Sequence, residues 1–240
     1  MELLDAKLGI HFYHSEMAKV SILLTVYNKP QWLRQCIDSV INQTYENWEL
    51  IILDDNSPDP MVQEILSFYD DNRIKIYTSN VSEQDRYKTV RYATLINYGI
   101  RNISTGDYIT YLTDDDYYYH DRLERMIGLL DNDKVSIVYG SQDMIDADGQ
   151  YLDTRHTHGI LDSAYGIVDH NSVMHRKELF YEVEGWPNNA DIWFHADAHF
   201  WNKLTSAGYQ FFPVEGSALG AKRYHKDSVQ SLMQKGEFFL

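Results

Sequence analysis

Hydrophobic positions in the first half of the chain alternate between two periods. Apolar runs predict four strands, at Val20–Val26, Trp48–Leu53, Arg73–Thr78 and Tyr108–Leu112. Between them, apolar residues recur at helical spacing, as in the set Leu33, Cys36, Ile37, Val40 and Ile41. Strands that alternate with helices form parallel sheets with right-handed crossovers. The pattern therefore predicts an α/β fold of the nucleotide-binding kind.

The second half of the chain has a less regular pattern. Its predicted elements are strands at Val135–Tyr139 and Tyr209–Val214, a hairpin turn at Asp146–Gly149, an extended segment at Ile167–His175 and a helix at His195–Ala207. From residue 215 to residue 240, apolar residues are few and charges are frequent, which predicts a flexible C-terminal loop. Residues 1–19 precede the first strand, and we interpret them as an N-terminal extension.

Carboxylates stand at the carboxyl ends of two predicted strands. Asp54 and Asp55 end the second strand, and Asp114, Asp115 and Asp116 end the fourth. The carboxyl ends of parallel strands share one edge, which is where open α/β sheets bind their ligands. Three adjacent carboxylates repel one another unless a cation or hydrogen-bond donors compensate. The run predicts a divalent-metal site for a phosphorylated substrate. The alternative is a pair of solvated acidic turns that cap the following helices.

Composition restricts the ligands that such a site can have. The 36 acidic and 21 basic residues give a formal net charge of -15, which argues against a nucleic-acid partner. An anionic substrate would need a metal ion or a local basic cluster to overcome this charge. The single cysteine, Cys36, excludes an internal disulfide and a cysteine-based zinc cluster.

The sequence has no secretory signal pattern at its start and no apolar run of about 18 residues. We therefore expect no transmembrane segment and a cytoplasmic location. Peripheral attachment to the inner face of a membrane and homo-oligomerisation are both left open.

Several segments together carry a family resemblance. VSILLTVYNKPQWLRQCIDSVINQTYENWELIILDDNS resembles the opening of a family 2 glycosyltransferase of the GT-A fold, and GDYITYLTDDDYYYHDRL resembles the strand with the acidic metal motif of that family. RYKTVRYATLIN and IVDHNSVMHR are similar to segments of spore-coat polysaccharide members. The resemblance covers about residues 20–212. It implies a mixed, mainly parallel sheet flanked by helices, in which residues 20–117 bind the nucleotide-sugar and residues 118–214 bind the acceptor.

For the nucleotide, the resemblance implies contacts at the ends of the first two strands. The ring of Tyr27 would lie against the base, and Thr25 and Val26 would provide backbone contacts. Asp55 would accept the imide N–H of uracil or thymine, and Arg86 would contact the base or the diphosphate. The alternative for Arg86 is a surface arginine in a polar loop.

For the metal and the phosphates, the resemblance implies that Asp114 binds the ribose hydroxyls and that Asp115 ligates Mg²⁺ or Mn²⁺ bridging the two phosphates. Asp116 fills a variable position beside them, near the donor sugar. The tail around Lys222–Ser228 resembles the loop that GT-A enzymes close over the donor, with His225 completing the metal shell and Arg223 approaching the diphosphate. The alternative is a disordered charged tail.

For catalysis, the resemblance places the base at Asp197, at the start of a helix. An ordinary aspartate is ionised at neutral pH and serves as a base when it is held within hydrogen-bond reach of the acceptor hydroxyl. The alternative is an aspartate that only stabilises the helix N-terminus. Ala196 replaces the usual glutamate of the family. Asp169 and His170 are expected near the donor or acceptor sugar.

The activity implied is an inverting transfer of a sugar from a UDP- or dTDP-sugar to a hydroxyl of a carbohydrate or glycoconjugate acceptor, in surface polysaccharide or glycoconjugate synthesis. One alternative is a sugar nucleotidylyltransferase, which would need a glycine-rich loop that is missing from residues 25–28. A second alternative is a catalytically silent nucleotide-sugar-binding protein, which has no need of a base at Asp197.

Overall fold

The computed structural model describes residues 17–193 and 195–226. Its strands and helices are, in chain order, β1 (Val20–Val26), α1 (Pro30–Ile41), β2 (Trp48–Asp54), α2 (Pro60–Leu66), β3 (Ile74–Thr78), α3 (Arg91–Asn102), β4 (Tyr108–Thr113), β5 (Tyr117–Tyr118), α4 (Arg122–Leu130), β6 (Ile137–Gly140), β7 (Gln142–Ile145), β8 (Tyr151–Arg155), β9 (Val173–Arg176), α5 (Lys177–Glu182), α6 (Ala196–Ser206), β10 (Phe212–Val214) and β11 (Gly220–Arg223). Short 3-10 helices cover Arg86–Lys88, His170–Ser172 and Ala190–Ile192.

The main sheet has the strand order β10-β6-β9-β4-β1-β2-β3. All neighbouring pairs are parallel except those of β9, which runs antiparallel to β4 and β6. In the register of β1, Val26 lies opposite Asp54 and Thr25 lies opposite Thr113. The residues that follow β1, β2 and β4 therefore meet at one edge, which confirms the predicted α/β fold.

Hydrophobic side chains cover both faces of this sheet. In β1, Ile22 and Leu24 belong to a core cluster that also contains Leu33 of α1, Val62 of α2 and Leu123 of α4. Leu23 points to the opposite face, into a second cluster formed with α3, α5 and α6. A parallel strand that is buried on both faces needs a nearly continuous apolar run, and VSILLTV provides one. In the described part of the chain, no helix has the length and apolar character needed to cross a bilayer.

A smaller sheet covers one side of the site edge, with the strand order β5-β11-β7-β8. The hairpin predicted at Asp146–Gly149 joins β7 to β8. The flexible loop predicted for residues 215–240 is wrong for Gly220–Arg223, because β11 is buried and pairs with both β5 and β7. Its burial was missed because ion pairs and hydrogen bonds, rather than apolar side chains, hold it. Residues 1–16 and 227–240, with most of the predicted extension and the end of the tail, lie outside the described residues.

Candidate active site

Tight turns after β1 and β2 shape the site edge. Asn28 and Asn56 both adopt the left-handed conformation, with φ of 59° and 58°, which asparagine tolerates better than most residues. The Asn28 N–H donates to Ser57 Oγ at 3.0 Å, and the Asp55 N–H donates to the Val26 carbonyl at 2.9 Å. The two turns are therefore joined, and they hold the residues after β1 beside those after β2.

Asp55 is buried and binds the guanidinium groups of two arginines at this edge. Its carboxylate accepts hydrogen bonds from Arg86 Nη1, from Arg91 Nη2 at 2.6 Å and from Ser79 Oγ at 3.1 Å. The Arg86 guanidinium lies 4.2 Å from the ring centroid of Tyr27, a residue that is 39% exposed. An aromatic ring with one accessible face, steadied by a guanidinium, can stack on a base.

The Asp55 carboxylate already accepts hydrogen bonds from protein donors at the positions that the predicted contact with a base would need. A uracil imide N–H would have to displace one of the bonds from Arg86, Arg91 or Ser79. The observed contacts make Asp55 the anchor of both arginines. Arg91 was not predicted, although it stands five positions after Arg86 in the segment RYKTVRYATLIN and the repeated Arg-Tyr pair could have indicated it.

The carboxylates after β4 lie beside the turn after β1. Asp114 Oδ2 accepts the Tyr27 N–H at 2.7 Å. The Lys29 ammonium donates to Asp114 Oδ1 at 3.2 Å and to Asp115 Oδ2 at 2.8 Å. His225 Nε2 lies 2.9 Å from the same Asp115 oxygen. The structure thus brings together Tyr27, the adjacent pair Asp114 and Asp115, and His225, three regions that are far apart in the sequence, and adds Lys29.

The two carboxylates differ in their electrostatics. Burial raises the pKa of Asp114 to about 6, although Lys29 opposes this effect. Burial would also raise the pKa of Asp115, but the Lys29 charge and the hydrogen bond to His225 outweigh it and hold that pKa well below its usual range. Asp115 is therefore ionised at neutral pH, as a metal ligand must be.

Asp115 and His225 have a separation that fits a divalent cation. Two ligand atoms at about 2.1 Å from an octahedral ion, at right angles, lie about 3 Å apart, and Asp115 Oδ2 and His225 Nε2 are 2.9 Å apart. Among the residues that the structure describes, no three His, Cys, Asp or Glu side chains form a metal-binding group. A cation at this pair would take its remaining ligands from phosphate oxygens and water.

Asp116 points away from this pair and ties β11 to the loop after β4. Its Oδ1 accepts the Arg223 N–H at 2.8 Å, and its Oδ2 accepts from the Asn171 side chain. Burial raises the pKa of Asp116 to about 6, opposed mainly by Lys222. Asp116 therefore positions the acidic loop. Asn171 was not predicted, and a lone asparagine gives no signal in the sequence.

The guanidinium of Arg223 is engaged within the protein, contrary to the predicted approach to the diphosphate. Its Nε donates to the Asp115 carbonyl at 3.0 Å, and its Nη1 donates to the carbonyls of Asp146 and Ala147 at 3.2 and 3.1 Å. Its Nη2 donates to Gln35 Oε1 at 2.8 Å. Arg223 is buried, and these contacts are those of a residue that positions the Asp115 backbone.

On the other side of the acidic loop, Asp169 and His170 lie between Lys222 and the start of α6. Asp169 Oδ2 pairs with the buried Lys222 ammonium at 2.6 Å. His170 Nδ1 lies 3.7 Å from Asp197 Oδ2, and its ring stacks on Tyr92 at a centroid distance of 5.7 Å. His170 Nε2 is buried without a hydrogen-bond partner among the described residues. The predicted base is therefore close to His170, and Asp169 beside it, two of the residues predicted near the sugars.

His175 belongs to the structural core. Its Nδ1 donates to the Arg176 carbonyl at 2.8 Å, so its Nε2 accepts from the Tyr111 hydroxyl at 2.6 Å. Burial lowers the pKa of His175 to about 4, and the ring is neutral at pH 7.

Comparison with known sequences assigns most of the chain to one family. The model of Glycosyl transferase family 2 matches residues 21–191. Protein CgeD of Bacillus subtilis (strain 168) is 40% identical over 198 residues, which cover 78% of this chain and 46% of CgeD. The Escherichia coli protein named UDP-Glc:alpha-D-GlcNAc-diphosphoundecaprenol beta-1,3-glucosyltransferase WfgD is 32% identical over 129 residues, 52% of this chain and 46% of WfgD. The chain spans less than half the length of either relative.

Solved structures show the same fold at low sequence identity. S. aureus TarS 1-349 in complex with UDP-GlcNAc aligns with a TM-score of 0.68 and 13% identity, covering 89% of this chain and 60% of that one. The mannosyltransferase PcManGT from Pyrobaculum calidifontis, in complex with GDP-Man and Mn²⁺, aligns with a TM-score of 0.66 and 14% identity, covering 94% of this chain and 66% of that one.

These comparisons confirm the family and the GT-A fold; the closer resemblance to the spore-coat polysaccharide glycosyltransferase SpsA stays a prediction. The chain belongs to glycosyltransferase family 2.

Proposed function

We propose that the protein transfers a sugar, with inversion, from a UDP- or dTDP-sugar to a hydroxyl of a carbohydrate or glycoconjugate acceptor, in surface polysaccharide or glycoconjugate synthesis in the cytoplasm. Residues 20–117 bind the donor and residues 118–214 bind the acceptor. The named activity of WfgD and the UDP-GlcNAc complex of TarS support a UDP-sugar donor. Because PcManGT was solved in complex with GDP-Man, GDP-sugars have to be tested as donors beside UDP- and dTDP-sugars.

One observation carries the proposal: a stacking ring, an ionised carboxylate paired with a histidine, and a second carboxylate line one edge of the sheet. Tyr27 presents its ring at one end, and Asp115 with His225 follows at the end of β4. Asp197 lies 3.7 Å from His170, and the preceding residue, Asp169, binds Lys222 next to Asp116. In the proposed complex these three regions bind the base, the diphosphate and the reacting sugar of a nucleotide-sugar.

In the proposed donor complex, the base stacks on the accessible face of the Tyr27 ring, and Arg86, which Asp55 keeps in place, supports the opposite face of that ring. Asp114 holds the ribose hydroxyls. Asp115 and His225 would hold a divalent cation, which would supply positive charge to neutralise the departing diphosphate. Because Mg²⁺ prefers oxygen ligands, the histidine favours Mn²⁺.

The proposed reaction is a single displacement. The acceptor oxygen forms a bond with the anomeric carbon as the bond from that carbon to the β-phosphate oxygen breaks, which inverts the configuration. Asp197 accepts the hydroxyl proton, and the nucleoside diphosphate leaves with the bonding electron pair. The His170 ring lies beside this carboxylate, with Nδ1 3.7 Å from Asp197 Oδ2.

Calorimetry with UDP-, dTDP- and GDP-sugars, each with and without Mn²⁺, tests the donor class. We expect a uridine or thymidine donor to bind more tightly with Mn²⁺ than without it. In a separate assay without acceptor, slow hydrolysis of that donor should release the matching nucleoside diphosphate. Binding without hydrolysis or transfer would identify a silent binder. No binding of any nucleotide-sugar would refute the proposal.

A further inference from the structure

Lys29 is placed between the two carboxylates of the proposed metal and ribose site. Its ammonium donates to Asp115 Oδ2 at 2.8 Å and to Asp114 Oδ1 at 3.2 Å. The lysine side chain is only 27% exposed, so water screens these contacts incompletely. The oxygen that it contacts on Asp115 is the one that faces His225 Nε2. A cationic group of the protein therefore contacts the oxygen that the proposed function assigns to a divalent ion.

We propose that Lys29 is an exchangeable counter-cation: it neutralises the acidic loop in the free protein, yields Asp115 to the metal when the donor arrives, and then binds the diphosphate. The inference rests on the proposed function, because it assigns Asp115 to a metal that arrives with a nucleoside diphosphate. Lys29 would then decide how strongly metal binding depends on the nucleotide.

The charges around Lys29 explain why such a group is needed. Asp114, Asp115 and Asp116 are consecutive, and the chain carries a net charge of -15. Asp116 is compensated separately, by the Lys222 ammonium at 3.9 Å, the Arg223 N–H and the Asn171 side chain. Among the described residues, Lys29 is the cation in direct contact with both Asp114 and Asp115; the Tyr27 N–H also donates to Asp114, and His225 contacts Asp115. Without a nearby cation, two adjacent buried carboxylates would repel each other strongly.

The same charges explain why Lys29 has to move. A divalent cation bound to Asp115 would repel an ammonium group that stays 2.8 Å from its ligand oxygen. The diphosphate brings new anionic oxygens to the same place, and lysine is a flexible point charge suited to phosphate. The lysine backbone lies between Tyr27 and α1, at the edge where the nucleotide is expected. A short side-chain movement is therefore enough.

The proposal predicts effects of opposite sign on two affinities. Without nucleotide, Lys29→Met should bind Mn²⁺ more tightly than wild type, because the competing ammonium is gone. At saturating Mn²⁺, the same variant should bind UDP more weakly, because a contact with the diphosphate is lost. Each effect should be at least about fivefold, which is what one charge at about 4 Å is worth even at the dielectric of bulk water.

Two variants serve as controls. Lys134→Met removes the same charge from an exposed position in the loop before β6, at the opposite edge of the sheet. Its two affinities should stay within about twofold of wild type, since a charge beyond a Debye length is screened. Lys29→Arg keeps the charge and should retain most of the nucleotide affinity. Circular dichroism melting of each variant shows whether it is folded.

Calorimetry with MnCl₂ alone, and with UDP or dTDP at saturating Mn²⁺, separates the outcomes. If both affinities of Lys29→Met change in the same direction, or neither changes, Lys29 is a fixed ion-pair partner and the inference is wrong while the proposed function stands. If wild type shows no Mn²⁺-dependent binding of either nucleotide, the proposed function falls and the inference falls with it.

Discussion

Replacing Asp55 by asparagine should destabilise the fold and weaken nucleotide binding together. Asp55 is buried, and so is Arg86, which it contacts along with Arg91. The asparagine would keep the shape of the side chain but replace one acceptor oxygen by a donor amide that faces the guanidinium groups. Removing one partner of a buried ion pair costs about 3–5 kcal/mol because the other charge stays buried. We expect Asp55→Asn to lose about 3 kcal/mol, since one oxygen and Ser79 remain in place.

Urea unfolding followed by tryptophan fluorescence measures this loss. Asp71→Asn is a matched control, because Asp71 also binds an arginine, Arg73, at 2.7 Å, but the two side chains are 25% and 34% exposed. An exposed pair contributes about 1 kcal/mol or less. An unchanged denaturant slope would show that both variants unfold in the same manner as wild type.

The same protein samples test the link to binding. Because Arg86 lies over the Tyr27 ring, its release should also weaken UDP affinity, whereas Asp71→Asn should leave that affinity unchanged. If Asp55→Asn unfolds within about 1 kcal/mol of the Asp71 control, the buried pair contributes no more than an exposed one, and the assignment of Asp55 as the anchor of the arginines is refuted.

The proposed base, a buried histidine and the tie to β11 give three further tests. Asp197→Asn should keep nucleotide affinity and lose at least about 100-fold in transfer; near-normal transfer would exclude Asp197 as the base. His175 has a folded pKa of about 4, below its ordinary 6.5. The unfolded chain therefore binds more protons between these values, and stability present above pH 6.5 is lost as the pH falls toward 4, by about 3 kcal/mol. Urea unfolding at pH 7 and 4.5 should show a smaller loss for His175→Gln, and equal losses would contradict this. Asp116→Ala removes the acceptor of the Arg223 N–H, so hydrogen exchange across residues 220–224 should become faster than in wild type; unchanged exchange would show that β11 does not need this tie.

The main strands of the sheet were predictable because the hydrophobic pattern of each segment by itself indicates a buried strand. VSILLTV is a nearly continuous apolar run, so its burial and its limits at residues 20 and 26 follow from the sequence. The convergence of Asp55 with Asp114 was also predictable, because parallel strands present their carboxyl ends at one edge.

Contacts made through space were not predictable from these patterns. The burial of β11 depends on Lys222 meeting Asp169, which is distant in the sequence, and a polar segment looks like a loop until its partners are known. Strand β9 lies between β4 and β6 in the sheet. The hydrophobic periodicity of a segment predicts a strand but not which strands lie next to it. From the sequence, Lys29 and Arg91 would be expected to be ordinary exposed residues. Only the fold places them next to Asp115 and Asp55.

The dependence of nucleotide affinity on metal and on Asp115 tests the central claim most directly. Calorimetry of UDP and dTDP binding, with and without Mn²⁺, is carried out on wild type and on Asp115→Ala. We predict that Mn²⁺ strengthens binding to wild type and gives no gain in the variant, because a diphosphate would otherwise meet an uncompensated acidic edge in a chain of net charge -15. A variant that binds as tightly as wild type in Mn²⁺ would contradict the proposed site.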